Sequence, residues 1–287
     1  MSTSLTLTGW RTRRPRRRPG IPVGVLIAAV LLLVPIVCVL FPSLGPGNAT
    51  RIVASDALLT PSAEHWLGTD SLGRDVFARM VHGASSALLG PLLLASVTVA
   101  ISTVLALIAG YYRGWADGVI SRFVDVLYSV PPLVVAVVLV GVLGGGFWLG
   151  VAVLTVFNLP HNVRVLRAAV EEQAQLPYIE AAKTLGTKSI RILWRHLVPV
   201  ISPLIVASFF LRFTYGIVDL SALSFLGLGV PPGSTDWGRM LAENRVTMLQ
   251  NFWATAAPGL ALIVMAVSAN IVGDWLYNRY EAAGRAR

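Results

Sequence analysis

The chain has 287 residues, of which 55% are hydrophobic and only 13% are charged. A soluble domain of this length needs more polar surface than that, so the composition excludes a soluble globular protein and predicts an all-α integral membrane protein. The net charge of +9 would suggest nucleic acid binding in a soluble protein, but in a membrane protein the positions of the charges matter more. We therefore expect a lipid bilayer, and no nucleic acid, as the surroundings of this chain.

Apolar segments in chain order predict six membrane-spanning helices. A tail at residues 1–20, rich in arginine and proline, precedes them and is predicted to be disordered, and a second tail at residues 277–287 follows them. The first apolar run is too long for a cleaved signal peptide and is expected to be retained. Each span has about the 20 apolar residues needed to cross a hydrocarbon core. The predicted spans are residues 21–41, 85–109, 123–143, 147–167, 199–220 and 252–276, with turns at residues 111–118 and 144–146.

The positive charges predict the orientation of the spans. With six spans both termini lie on one side, and that side carries 17 lysines and arginines against five on the other. Loops rich in these residues stay in the cytoplasm. The count therefore predicts cytoplasmic termini, and it places the charged segment 177–199 in the cytoplasm as well.

Local rules predict a helix, a break and a second helix within residues 177–199. Pro177 disfavours the helical conformation of the residue before it, so an incoming helix should end there and a short helix should occupy residues 178–185. Gly186 suits the left-handed position after a helix end. Ser189 is predicted to cap the amphipathic stretch that follows, and Pro199 to open the next span.

The same segment carries a resemblance to a known family. Its spacing E-A-A-x3-G-x9-H-L-V-P resembles the E-A-A-x3-G-x9-I-x-L-P signature of permeases of ATP-binding cassette (ABC) importers, with His196 and Val198 as departures from it. In that family the short helix couples the permease to an ATPase subunit. The resemblance implies that the ATPase-coupling residues are Tyr178, Glu180, Ala181, Ala182, Leu185 and Gly186.

Residues 65–84 resemble the L-G-T-D-x-x-G-R-D-x-x-S-R-x-x-x-G segment of the C-type permease subunit of oligopeptide, dipeptide and nickel importers. Within a predicted extracytoplasmic loop, residues 42–84, Asp70 or Ser71 is expected to cap a short interfacial helix. That helix would place Leu72, Val76 and Met80 on one face. The acids Asp70 and Asp75 lie close in sequence to Arg74 and Arg79, which predicts ion pairs that hold a loop and not a catalytic or metal site.

Residues 221–241 resemble the A-L-S-F-L-G-L-G-x-x-P-P-x-P-x-W-G segment of the same C-type subunits. Their glycines and prolines predict irregular structure within an extracytoplasmic loop, residues 221–251. The resemblance implies a loop that gates the outer mouth of a pathway; a rigid cap that holds the spans together is the alternative. The candidate contacts for this gate or for an external binding protein are Asp70, Arg74, Asp75 and Trp237.

Two ionisable residues within the fifth predicted span need an explanation, because charges inside a bilayer are unfavourable. Arg212 and Asp219 are seven positions apart on one helical face, about 10 Å along the axis, which is too far for direct pairing. They are hypothesised to line a translocation pathway; burial against a second subunit is the alternative. Pro131 and Pro132 predict a bend in the third span, either facing the pathway or serving only packing.

The resemblance implies the six-helix, MetI-like fold of type I importer permeases, and ATP-driven import of dipeptides or oligopeptides. Nickel chelates and glutathione are alternative substrates, and an ion-coupled secondary transporter is a further alternative. The implied partners are a homologous B-type permease subunit, two cassette ATPase subunits that bind ATP and magnesium, and an extracytoplasmic substrate-binding protein in a bacterial or archaeal cell membrane. No P-loop motif is present and the four histidines are scattered, so no catalytic residue, cofactor or metal site is expected in this chain.

Overall fold

The computed structural model describes residues 21–45 and 49–284, and in these residues helices and loops account for the whole fold, without a strand. The basic tail predicted at residues 1–20, and the last three residues of the C-terminal tail, lie outside the described residues. The helices are α1 (Val23–Leu40), α2 (Val76–Tyr112), α3 (Gly114–Tyr128), α4 (Pro132–Val142), α5 (Phe147–Ala174), α6 (Pro177–Thr184), α7 (Ser189–Ile192), α8 (Val198–Phe225), α9 (Trp237–Asn244) and α10 (Phe252–Gly284).

Four long helices form the centre of the bundle. Helix α2 packs along α5 and α8, and α10 packs along α8, while α1 lies at the outside against α10 and α2. The core divides into three clusters, of which one joins α2, α8, α9 and α10, one joins α2, α4, α5 and α8, and one gathers around α6 and α7. The chain therefore places its two loop regions of interest, residues 49–75 with α9 and residues 175–197 with α6, at opposite ends of α2.

Five helical segments are long and apolar enough to cross a membrane, namely α1, α2, α5, residues 189–225 and α10. Helices α3 and α4 make a sixth span if they are taken together, but they are bent by 73° at the break that contains Pro131. The all-α membrane architecture is confirmed. The interruption predicted in the third span is a change of direction between two separate helices.

The turn predicted at residues 111–118 is wrong. Helix α2 continues to Tyr112 and α3 begins at Gly114, so the reversal is confined to Arg113 and Gly114, both with positive φ (53° and 60°). The two acids of α3 lie on a helix face and pair with the two arginines of α5. Asp117 lies 2.8 Å from Arg167, and Asp125 lies 2.5 Å from Arg164.

The separate interfacial helix predicted within residues 42–84 is also wrong. Asp75, and not Asp70 or Ser71, is the N-cap: its carboxylate accepts from the Ala78 amide at 2.7 Å, and α2 begins at Val76. Helix α2 then runs for 37 residues, about 55 Å. Since a hydrocarbon core is about 30 Å thick, α2 is longer than a membrane span requires.

The boundaries around α8 differ from those predicted. Ser189 is the first residue of α7 and makes no side-chain cap, and α7 continues through a π turn at Leu193–Leu197 into α8. At its other end α8 reaches Phe225, so the first residues of the predicted loop 221–251 are helical, as are those of α9. Only residues 226–236, where the glycines and prolines concentrate, are irregular between these helices.

Candidate functional site

The segment predicted to couple to an ATPase forms a short helix between two breaks. Leu176 is extended (φ −74°, ψ 145°), as the following proline requires, and Pro177 occupies the first position of α6, where no amide donor is needed. Gly186 follows the helix with φ 73°, the left-handed conformation predicted for it. The local sequence therefore determines both ends of α6.

One face of α6 is held by the bundle. Ile179 is fully buried and belongs to the cluster that contains Leu107 of α2 and Val170 of α5. Ala182, one turn further on, is half-buried against the same cluster, and Lys183 lies 4.9 Å from the centre of the Tyr111 ring. The position of α6 is therefore set by the ends of α2 and α5, with Ile179 as its anchor.

The opposite face of α6 is uncovered and partly apolar. Tyr178, Ala181 and Leu185 follow each other at helical spacing of three and four, and all three are exposed, Leu185 to 84%. Glu180 and Gly186 are also exposed. Of the six predicted coupling residues, only Ala182 turns toward the bundle. An exposed Tyr-Ala-Leu face on a helix that is anchored from behind is a surface suited to another protein.

At the other end of the bundle, a buried ion network ties the 65–79 region to α9. The Asp70 carboxylate is fully buried and accepts from Arg74 Nε at 2.8 Å and from Arg79 Nη1 at 2.5 Å. Both guanidinium groups also reach Glu243 Oε2, at 2.7 and 3.0 Å. The ion pair predicted for Asp70 and Arg74 is confirmed, and its role is to join two distant parts of the chain.

Glu243 is the member of this network that the sequence analysis missed. Burial by itself would raise the pKa of the Glu243 carboxyl, but the hydrogen bond from the Gly233 amide and the charges of Arg79 and Arg74 outweigh it and lower the pKa to about 2. Arg239 lies 3.2 Å from the same carboxylate, four residues earlier on α9. That helical i,i+4 spacing of opposite charges was the available sequence signal.

Further contacts tie the same region together. Arg79 donates to the Ser234 carbonyl at 2.9 Å, and the Trp237 indole donates to the Met80 carbonyl at 2.9 Å. Asn251, only 2% exposed, donates to the Thr69 carbonyl at 2.9 Å. The loop that joins α8 to α9, and the residue that precedes α10, are therefore both attached to the start of α2.

The four residues predicted to contact a gate or a binding protein are all buried. The exposed fractions of Asp70, Arg74, Asp75 and Trp237 are 0%, 3%, 8% and 5%. The Asp75 carboxylate caps α2 and also lies 2.7 Å from His65 Nδ1. In this conformation their side chains make contacts within the chain and hold the outer segments on the bundle, and a role at a gate or a binding-protein surface stays a prediction.

The candidate pathway residues of α8 have partners within the chain. Arg212 is 6% exposed, donates to Asn158 Oδ1 of α5 at 3.0 Å, and lies 4.9 Å from the centre of the Tyr215 ring. Asp219 is half-buried and interacts with Asn158 as well. Asn158 thus bridges the two charges, which the sequence analysis had left unpaired. Arg212 therefore faces α5.

Pro131 and Pro132 lie at the bend between α3 and α4. Pro131 is exposed and extended (ψ 127°), and Pro132 begins α4. Neither has an amide hydrogen, so the helical hydrogen-bond ladder is interrupted there. The bend joins α3, which packs against α2 and α5, to α4, which packs against α5 and α8.

Comparisons with known proteins agree with the motifs. The family model described as "binding-protein-dependent transport system inner membrane component" matches residues 102–283. The glutathione transport system permease protein GsiD of Pectobacterium atrosepticum is 36% identical over 88% of this chain and 85% of its own length. The dipeptide transport system permease protein DppC of Alkalihalophilus pseudofirmus is 34% identical over 88% of this chain and 83% of its own length.

Among solved structures, an inward-facing form of the MetNI methionine ABC transporter matches with a TM-score of 0.56 and 16% identity. The match covers 70% of this chain and 95% of the other, so the two share a fold. The sequence matches to GsiD and DppC show the family as well as the fold. The chain belongs to the binding-protein-dependent transport system inner membrane component family, and within it to the ABC importer permeases of the dipeptide and oligopeptide group.

Proposed function

We propose that this chain is one of two permease subunits of an ATP-driven importer of short peptides, and that α6 docks on a cassette ATPase subunit. The observation that carries the proposal is the exposed face of Tyr178, Ala181 and Leu185 on a helix anchored by buried Ile179. Because α6 rests on the ends of α2 and α5, a force applied to that face passes directly into two helices of the bundle core.

The mechanism requires differential binding. A docked ATPase dimer shifts the permease between inward-open and outward-open states only if α6 binds one ATPase state more tightly than the other. This chain contains no P-loop sequence, so ATP and magnesium are bound by the partner subunits. The permease contributes the pathway and the docking helix, and no catalytic residue.

The substrate proposal rests on the named relatives. One relative is named for glutathione and another for dipeptides, and glutathione is itself a small peptide. We therefore assign short peptides as the substrate class, with glutathione included. The external binding protein and the B-type permease follow from the family, as does a bacterial or archaeal cell membrane with both termini in the cytoplasm, which the 17 to five distribution of lysine and arginine supports.

The docking proposal is tested by co-purification. The chain is co-expressed with the B-type permease and the two cassette ATPase subunits of its own transport system, and Leu185→Asp is introduced into the exposed face of α6. A buried leucine contributes about 1.5–3 kcal/mol, and a buried unpaired carboxylate adds a further cost. We expect the affinity for the ATPase subunits to fall at least about tenfold, with loss of ATP-dependent peptide uptake.

Leu249→Asp is the matched control. Leu249 is fully exposed on the loop before α10, at the opposite end of the bundle from α6, so the same change in chemistry there leaves ATPase binding intact. Equal ATPase binding by wild-type chain and Leu185→Asp would refute docking through α6. Transport by this chain alone, driven by an ion gradient, would refute the importer proposal itself.

A further inference from the structure

A partly open cavity with a mixed polar and apolar lining lies between α5, α8 and α10, about halfway along these helices. Its volume is about 220 Å³. Five polar side chains line it: His161 and Asn162 from α5, Ser208 from α8, and Asn270 and Asp274 from α10. Ser208 lies ten residues into α8, about 15 Å along its axis from the end near α6, so the cavity is at membrane depth.

The polar groups around this cavity lack partners in the described part of the chain. Asn162 is only 2% exposed, and its Nδ2 has no hydrogen-bond acceptor there. Ser208, 5% exposed, likewise makes no hydrogen bond or ion pair with any described residue, and the same holds for Asn270, which is half-buried, and for Asp274, which is exposed. Unsatisfied polar groups are unfavourable in a bilayer, and when they converge from three helices they indicate a site for a polar molecule.

The walls of the cavity differ in chemistry. On the α5 and α8 side, the Asn162 amide supplies an N–H donor without an acceptor among the described residues, and Ser208 supplies a hydroxyl. On the α10 side, Asp274 supplies a carboxylate. The first wall offers hydrogen-bond donors, and the second offers a negative charge. A molecule with a carboxylate at one end and an ammonium at the other matches both walls.

The volume limits the size of that molecule. The cavity volume is about 220 Å³. This is below the 300–1,000 Å³ of pockets that bury drug-sized ligands. The cavity therefore accommodates a single amino acid, or a short peptide with small side chains, and not a long peptide.

We propose that the cavity between α5, α8 and α10 binds a small zwitterion, with its α-carboxylate against Asn162 and Ser208 and its α-ammonium against Asp274. If the zwitterion is the transported peptide, this proposal rests on the proposed function and deepens it. The cavity is then a place where this chain contacts the peptide. A free amino acid presents the same two groups, and the experiment separates the two sources.

The test measures binding to the full-length chain in lipid nanodiscs by isothermal titration. The probes are alanyl-alanine and alanine, which carry both charges, and N-acetyl-alanine N-methylamide, which carries neither. We expect the zwitterions to bind and the uncharged compound not to bind. Tighter binding of alanyl-alanine identifies a peptide site, and equal or tighter binding of alanine identifies an amino-acid site.

Three variants remove the proposed contacts, namely Ser208→Ala, Asp274→Asn and Asn162→Leu. A hydrogen bond to a charged group corresponds to a roughly tenfold to hundredfold change in affinity, so each variant should weaken zwitterion binding by at least about tenfold. Ser96→Ala is the matched control, since Ser96 is exposed on α2 and bonds only to its own helix at Leu92. If Asn162→Leu does not fold, the other two variants decide the result.

The proposal is overturned if no zwitterion binds saturably, if the uncharged compound binds equally well, or if Ser208→Ala and Asp274→Asn leave the affinity unchanged. Its failure is distinguishable from that of the proposed function. If the nanodisc experiment shows no binding but the assembled importer still takes up peptide with ATP, only the cavity site is refuted. Absence of ATP-dependent uptake in the wild-type assembly removes the importer function, whatever the binding result.

Discussion

Glu243→Gln tests whether the buried ion network holds the outer segments on the bundle. A pKa lowered from 4.5 to about 2 corresponds to about 3 kcal/mol of native-state stabilisation at neutral pH. Because the side chain retains 16% exposure, solvent screening reduces this value, and we expect glutamine to cost about 2 kcal/mol. Glutamine preserves the shape of the side chain and the acceptor for the Gly233 amide. The variant therefore loses only the negative charge beside Arg74 and Arg79.

The sign of the pH dependence follows from the lowered pKa. The stabilisation by ionised Glu243 is fully present above the ordinary pKa of 4.5 and is lost as the pH falls toward 2. The difference in stability between wild-type chain and variant should therefore be constant near pH 7, shrink below pH 4.5 and vanish near pH 2. The glutamine variant lacks this titration and should not show that part of the acid sensitivity.

The assay is thermal unfolding of the full-length chain in detergent micelles between pH 2 and 7, with hydrogen exchange of residues 226–236 as a local readout. Glu64→Gln is the control, since Glu64 is exposed on the loop before α2. Equal stability of wild-type chain and Glu243→Gln at pH 7 would refute the reasoning. A stability difference that does not change with pH would refute the role of the charge.

Two further substitutions test packing at the two ends of the bundle. Ile179→Ala removes the anchor of α6 and should cost about 2–5 kcal/mol locally, which limited trypsin digestion reports as faster cleavage after Lys183. Gly238→Ala places a Cβ atom against the backbone carbonyl of Ser221, which cannot move aside as a side chain would. We expect it to displace α9 and to lower stability by about 1–3 kcal/mol in thermal unfolding.

Each of these two predictions has its own contrary outcome. Ile190→Ala changes an exposed isoleucine of α7 and should leave the trypsin cleavage rate unchanged, so equal rates for Ile179→Ala and Ile190→Ala would contradict the anchoring role of Ile179. Gly259→Ala is the control for Gly238→Ala, because a Cβ there makes only an ordinary contact with a leucine side chain at 3.5 Å. Equal unfolding temperatures for these two variants would contradict the close approach of α9 to α8.

Elements governed by local chemistry were predictable from the sequence. Apolar length alone places the long helices, because twenty consecutive apolar residues have few alternatives to a membrane span. The ends of α6 were predictable for the same kind of reason: Pro177 constrains its predecessor and Gly186 accepts a positive φ, and neither effect depends on residues far away in the chain.

Elements governed by distant partners were not predictable. Asp117 lies in the stretch predicted to be a turn, and its partner Arg167 is 50 positions further on; Arg164, the partner of Asp125, is 39 positions from it. The role of Glu243 depends on Arg79, which is 164 positions away. Asn158 gave no signal in the sequence, since an asparagine in a span is informative only when the charges it bridges are known. In each case the contact joins two helices, and the sequence alone does not show which helices pack together.

The bend between α3 and α4 has a mechanical consequence. Because Pro131 and Pro132 offer no amide hydrogens, the two helices share no continuous ladder across residues 129–131, and the direction of each is set by its own neighbours. Helix α3 rests on α2 and α5, whereas α4 rests on α5 and α8. Both halves of this span contact α5, but α3 is also tied to it by two ion pairs and α4 also contacts α8, so the two halves respond to different neighbours across a joint that has no hydrogen-bond ladder.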